Sequence, residues 1–379
     1  DRLQEAAEHY LRLLRRRPEL VASRFNYARL LRRQGLDTDA LEQYRRCLAD
    51  GIDRAEEVHS TIGSILADLH RDEEAEAALQ RALELRADHG PALYNLALLY
   101  QERGEAERAA ALLLRIAAVD PLYPEALARL AQGRSVHDDS DPLIARIRAQ
   151  LDDPALPDGA RESLYYGLGK LLDDCGNYRE AFTCYRRGNA LSTRRSGAYD
   201  ESHQAALIEH LRRCFPAAEE PPGGAVSAAP LVFICGMFRS GSTLLEQMLG
   251  AHPGLVAGGE IDHFPRRLPL SELGAREPEP AQLQVLGEDY LAYLAQHFGA
   301  ERRVIDKRPD NFLYLGLIRR MVPGACVLHT VRDPLDNCLS VYFQQLAAGF
   351  DYANNLLHAG HYLRQQERLM AHWARCYPQ

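Results

Sequence analysis

Residues 231–253 read LVFICGMFRSGSTLLEQMLGAHP, and this stretch decides the fold of the second half of the chain. LVFICG is a continuous apolar run of the kind that a parallel strand, covered on both faces, requires. MFRSGST is a short turn sequence, and LLEQMLG then places apolar residues at helical spacing. The loop compares with the nucleotide-binding pattern GxxxxGK[ST]. Gly236, four residues, Gly241, Ser242 and Thr243 meet every position except the lysine, which is replaced by serine. In an ATPase that lysine reaches the β- and γ-phosphates, so its loss argues against NTP hydrolysis. It leaves a cradle of backbone N–H groups at the helix N-terminus, which suits a single terminal phosphate or phosphosulfate. Arg239 adds a planar, permanently charged donor. The competing reading is a glycine-rich turn with a capping serine; strand, loop and helix in the required order favour anion binding.

Downstream motifs fall into register with the loop. Over roughly Pro230 to Ser340 the chain resembles the PAPS-dependent sulfotransferase superfamily, above all tyrosylprotein sulfotransferases and their bacterial relatives fused to tetratricopeptide repeats (PAPS is 3′-phosphoadenosine-5′-phosphosulfate). FRSGST is similar to that family's P-R-S-G-T-T loop, with Phe238 in place of proline, and the resemblance implies that Arg239, Ser240, Gly241, Ser242 and Thr243 contact the 5′-phosphosulfate. The family continues with A-H-P and G-E-E-T-R-x-x-P-R. Here Ala251, His252 and Pro253 precede GGEIDHFPR without a gap, which implies that the catalytic base is Glu260. A carboxylate suits sulfuryl transfer, because the acceptor hydroxyl must give up its proton as the new S–O bond forms. Asp262 departs from the arginine of the tyrosylprotein enzymes, and His263 is the second candidate base. VIDKRPDNF resembles the family's N-K-x-P-F segment, implying that Lys307 stabilises charge on the leaving phosphate. Of 45 basic residues only Lys170 and Lys307 are lysine, so a retained lysine points to chemistry rather than to a surface ion pair with Asp306 or Asp310. ACVLHTVRDPLDNCLSVYF reads as a buried strand, a turn and a helix. It resembles the 3′-phosphate motif, with Arg332 and Ser340 selecting PAPS over ATP; a structural pairing of Arg332 with Asp333 is the alternative.

Upstream, Ala6, Ala40, Ala75 and Ala109 are spaced 34, 35 and 34 residues apart, the tetratricopeptide period. Small residues such as Ala28, Gly63 and Ala97 fall where paired helices approach, and Pro18 and Pro121 end their units. Ala181 follows Ala109 by 72 residues, two periods plus four, and the irregular stretch around SVHDDSDPLIARIRAQLDDPALPDG is read as a degenerate repeat. Four or five units are expected. Tyr44, Tyr94, Tyr100 and Tyr185 read as packing residues. The fold expected is therefore an all-α solenoid over 1–215, a Pro/Gly/Ala-rich linker over 216–229, and an α/β P-loop-like domain with a central parallel sheet over 230–379.

Composition bounds the rest. At 379 residues, 46% hydrophobic and 26% charged, the chain is of globular type with room for two cores. Its net charge of −8 divides into −7 before Ala228 and −1 from there on, which excludes a general nucleic-acid binder. No apolar window is long enough for a membrane helix. Eight scattered cysteines without a CxxC pair read as free thiols in a reducing, cytoplasmic compartment, and neither zinc nor another metal is expected. Because residue 1 is Asp and the repeat pattern starts mid-unit, the native chain is expected to start earlier, and the second domain to continue beyond Gln379. The function expected is transfer of the PAPS sulfuryl group to a hydroxyl acceptor, a protein tyrosine or a glycan, with the repeats binding the acceptor or a partner. The alternatives are a repeat-based adaptor with an inactive nucleotide domain, and a nucleotide kinase or NTPase.

Overall fold

Ala40, Ala75 and Ala109, the small residues that set the repeat, are all fully buried. A side chain no larger than a methyl lets two helices close onto each other, and a hairpin forms around each one. Val21–Arg33 packs on Asp37–Ala49, Ala55–Asp68 on Asp72–Leu85, and Gly90–Glu102 on Ala106–Val119. A Cβ on Gly63 would lie 2.5 Å from Leu79 Cγ, so the second hairpin admits nothing larger than glycine there. Two shorter helices follow, Pro124–Gly133 before the irregular stretch and Pro142–Leu151 within it, ahead of Asp158–Asp174 and Tyr178–Ser196. Asp141 caps the second of these through its carboxylate, which accepts from Leu143 N–H at 2.8 Å.

The computed structural model describes residues 2–119, 124–216, 231–273, 279–299, 302–347 and 349–377. Pro121 and, apart from Pro216, the expected linker 216–229 lie outside them. Contacts divide the chain into two units, Asp1–Gly188 and Asn189–Gln379. Residues 189–215, which the sequence pattern groups with the repeats, belong to the second. Leu207, Ile208 and Leu211 of helix Glu201–Cys214, with Phe215, share a core with Phe233, Ile318 and Trp373. An amphipathic helix carries the same 3.6-residue pattern whichever core it faces, so periodicity alone could not assign it.

The second unit is built on a parallel sheet in the order β2–β3–β1–β4, where β1 is Val232–Gly236, β2 Leu255–Ala257, β3 Arg303–Lys307 and β4 Cys326–Thr330. Helices Ser242–Gly250, Pro280–Phe298 and Leu315–Met321 lie in the three connections. Phe233, Ile234 and Cys235 are fully buried, as the apolar run requires. β4, expected to be buried, is half-exposed, with Cys326 and His329 open to solvent. It occupies the edge of the sheet among the described strands. Ile234 pairs with both Lys307 and Leu328, Gly236 pairs with Thr330, and Ala257 pairs with Ile305. That register brings the ends of all four strands to one edge, where open α/β sheets bind ligands.

Candidate active site

The anion loop leaves β1 at Gly236. A Cβ at this position would lie 2.6 Å from the Thr330 carbonyl oxygen and 2.8 Å from Ser240 Oγ, so only glycine lets β1 run this close to β4. Arg239 and Gly241 both hold left-handed backbone, with φ 68° and 99°. For a non-glycine residue such as Arg239 that is a strained conformation, of the sort that clusters at ligand-binding turns. Ser240 Oγ donates to Met237 O at 2.6 Å and lies 2.7 Å from Thr330 Oγ1. The Ser240 hydroxyl is thus engaged in bracing the loop. Helix Ser242–Gly250 begins at Gly241 with no side-chain cap, leaving its first N–H groups and positive dipole end directed at the loop. Ser242 is buried and Thr243 is exposed.

The second arginine motif comes to the same loop. Asp333 caps helix Pro334–Tyr342 by accepting from Leu335 and Asp336 N–H, and so does not serve as a partner held for Arg332 alone. Buried Asn337 on this helix donates to Phe238 O at 2.6 Å and fixes the helix against the loop. Arg239 Nε then reaches Ser340 Oγ at 3.4 Å, and Arg332 Nη1 reaches Arg239 O at 3.4 Å. Two guanidinium groups and a hydroxyl from segments about 100 residues apart in sequence are gathered there, an arrangement suited to a multiply charged anion.

Glu260 and Lys307 form the other group. Lys307 ends β3 with its side chain 6% exposed, and its Nζ donates to Glu260 Oε1 at 2.7 Å; the Glu260 side chain is 43% exposed. The surface ion pairs offered as alternatives for Lys307 are taken elsewhere. Asp306 accepts from Tyr290 Oη at 2.8 Å and Asn311 Nδ2 at 2.9 Å, and Asp310 pairs with Arg308 Nε at 2.6 Å. Burial pushes the Asp306 carboxyl up to about 7, against the hydrogen bonds from Asn311 and Tyr290. Glu260 sits beyond β2 after two glycines. Gly258 N–H donates to Ile305 O and Lys307 N–H to Gly259 O, each at 2.9 Å, so the turn is laced to β3. A Cβ on Gly258 would lie 2.8 Å from Ile305 O.

The other named residues have partners of their own. His263 is buried among Phe264, Tyr290 and Tyr293, with Nε2 3.5 Å from Asp289. Burial lowers its imidazole pKa, with Asp289 opposing. Asp262 is occupied by Arg308, and lies 3.5 Å from Arg266. Sequence reasoning missed Thr330, Asn337 and Glu246. The first two are bracing groups whose partners, Ser240 Oγ for Thr330 and Phe238 O for Asn337, lie far away in sequence. Glu246, a lone charge within LLEQMLG, is 5% exposed and accepts from Gly259 N–H at 2.8 Å. Among the described residues no three His, Cys, Asp or Glu side chains come together as a metal site, and no helix is long and apolar enough to cross a membrane.

Comparison with known proteins finds matches to both halves of the chain. Residues 230–379 match the sequence model of the family described as "Sulfotransferase family", and residues 56–89 and 162–192 match that of the tetratricopeptide repeat. An uncharacterized protein of Aquifex aeolicus is 29% identical over 333 residues, which cover 83% of this chain and 43% of the relative. Protein-tyrosine sulfotransferase 1 of Homo sapiens is 33% identical over 135 residues, 32% of this chain and 36% of the relative. The chain thus spans less than half the length of either. The solved structure of BtubC from P. vanneervenii aligns with a TM-score of 0.41 at 17% identity, covering 52% of this chain and 91% of that one.

Proposed function

Because residues 230–379 belong to the sulfotransferase family and the segment before them carries tetratricopeptide repeats, we propose that this chain transfers a sulfuryl group from PAPS to a hydroxyl acceptor. The observation that carries the reading is the Glu260–Lys307 pair, 2.7 Å apart, at the same sheet edge as an anion loop without the nucleotidase lysine. The donor supplies an electrophilic sulfur on a phosphate leaving group. Arg239, the backbone of Ser240 and Gly241, and Ser242 and Thr243 would hold its 5′-phosphosulfate, while Arg332 and Ser340 would take the 3′-phosphate. The uncapped helix start and the Arg239 and Arg332 guanidinium groups beside it fit such a group.

In this scheme Glu260 removes the acceptor's hydroxyl proton as that oxygen bonds to sulfur and the S–O bond to the phosphate breaks. Protonation of Glu260 ends its hold on Lys307. The freed ammonium is then available to the phosphate oxygen, which gains charge as it leaves, so it favours the transition state over the ground state. The products are a sulfate ester, 3′-phosphoadenosine-5′-phosphate and the proton on Glu260. None of these steps calls on a metal. For the acceptor, the named relatives point first to a protein tyrosine, with a glycan hydroxyl as the other class. Asp262, held by Arg308, gives the acceptor side a carboxylate where the tyrosylprotein enzymes have arginine. We assign capture of the acceptor-bearing chain or a partner to the repeats, by analogy with the concave surfaces of solenoids.

The test is calorimetric titration of 3′-phosphoadenosine-5′-phosphate into the protein, against ATP and against Arg332→Ala. Selective binding that weakens by roughly 10-fold or more in the variant is expected, the loss of one charge-assisted bidentate contact. Equal affinity for ATP, or no binding by folded protein, refutes the reading.

A further inference from the structure

Glu260 follows Gly258 and Gly259, and a glycine pair is the most mobile support a catalytic group can have. Glycine is nevertheless required at both positions. Gly258 has no room for a Cβ beside Ile305 O, and Gly259 holds a left-handed φ of 69°. The β3 side of the turn is tied by the two backbone hydrogen bonds already described. The other side is tied by Glu246, which projects from the helix behind the anion loop and accepts from Gly259 N–H at 2.8 Å. Glu246 is 5% exposed, in a segment whose neighbours Leu244 and Met248 face solvent. A buried carboxylate is costly unless it is hydrogen-bonded and near a cation. Burial raises its pKa, and the Gly259 amide and Lys307 oppose that shift.

We propose that Glu246 is a positioning residue: it clamps the Gly258–Gly259 turn to the helix of the anion loop, so that Glu260 meets Lys307 in register with whatever anion the loop holds. This rests on the sulfotransferase reading for its consequence, though not for its geometry. The clamp joins the two halves of the site through one side chain. A shift of the loop helix on anion binding is thereby passed to the base. Glutamine keeps an acceptor oxygen at the same reach, alanine removes it, and aspartate keeps the charge one methylene short.

The experiment uses the whole chain in four forms: unchanged, Glu246→Ala, Glu246→Gln and Glu246→Asp. Amide exchange over 258–260, affinity for 3′-phosphoadenosine-5′-phosphate, and transfer of labelled sulfuryl from PAPS to a tyrosyl peptide are measured on each. Glu246→Ala is expected to raise exchange at 258–260 and to lower kcat roughly 10- to 100-fold, the scale of a misplacement near 1 Å. Its bisphosphate affinity and donor KM are expected to stay within about threefold, the signature of an interaction made in the transition state. Glu246→Gln should recover most of kcat and of the protection. Should the alanine form not fold, Glu246→Asp, with exchange raised and kcat lowered, carries the same test. Unchanged exchange or turnover in Glu246→Ala, a rise in KM alone, or a glutamine form as impaired as alanine overturns the clamp. If the unchanged protein neither binds the bisphosphate nor transfers sulfuryl, the sulfotransferase reading falls, and the exchange data still decide the clamp separately.

Discussion

Replacing Lys307 by Met should separate catalysis from stability. The ammonium lies 2.7 Å from Glu260 Oε1, which at an effective dielectric of about 20 corresponds to roughly 6 kcal/mol of gross attraction. Set against this is the desolvation of an ammonium whose side chain is 6% exposed, a cost of several kcal/mol for a buried ion. The partner left behind is 43% exposed and can rehydrate. Methionine fills nearly the same volume with apolar atoms. The net change in stability is therefore expected within about 1 kcal/mol of zero, because the attraction and the desolvation cancel. Turnover is different, since a cation aimed at the leaving oxygen acts only where charge develops; its loss should lower kcat by about 100- to 1,000-fold. Urea unfolding and steady-state sulfuryl transfer on the same preparation provide both numbers. A stability loss above about 3 kcal/mol would mark Lys307 as the indispensable half of a buried pair and refute the cancellation. Unchanged turnover would remove it from the chemistry.

Three further outcomes are expected. Glu260→Ala should lower kcat by about 100- to 10,000-fold, the usual worth of a positioned general base, with 3′-phosphoadenosine-5′-phosphate affinity retained in titration. Gly236→Ala would put a methyl 2.6 Å from the Thr330 carbonyl oxygen, a backbone atom that cannot turn aside, so about 1–3 kcal/mol of destabilisation and weakened bisphosphate binding should follow. Asp306 has a folded carboxyl pKa near 7, above the usual 3.9 or so of an unfolded chain, so the folded state holds the extra proton between those values. The stability contributed by Asp306 should therefore be full below about pH 4 and be lost as pH rises through 7, a loss of at most roughly 4 kcal/mol; Asp306→Asn should remove that component from the difference in urea midpoints between pH 5 and 8.

The sequence by itself determined the elements and their order. A buried-strand run, a glycine-defined loop and a helix cannot be rearranged without breaking local propensity. Alanines at a fixed spacing of 34 or 35 residues leave little but stacked hairpins. Resemblance to a known family, read in register with the loop, supplied Glu260, Lys307, Arg239, Arg332 and Ser340 as candidates. Tertiary structure decided what those residues touch. Lys307 faces Glu260 rather than Asp306 or Asp310, because adjacent strand residues point to opposite faces and only the β2–β3 pairing brings Glu260 alongside. Helix Glu201–Cys214 joined the α/β core, although its pattern suits either core. The Ser240 hydroxyl turned inward to Met237 and Thr330, the latter a contact across 90 residues that no local pattern encodes. Glu246 could not be found from spacing, because a lone charge in an apolar helix gains meaning only from the glycine amide that packing sets against it.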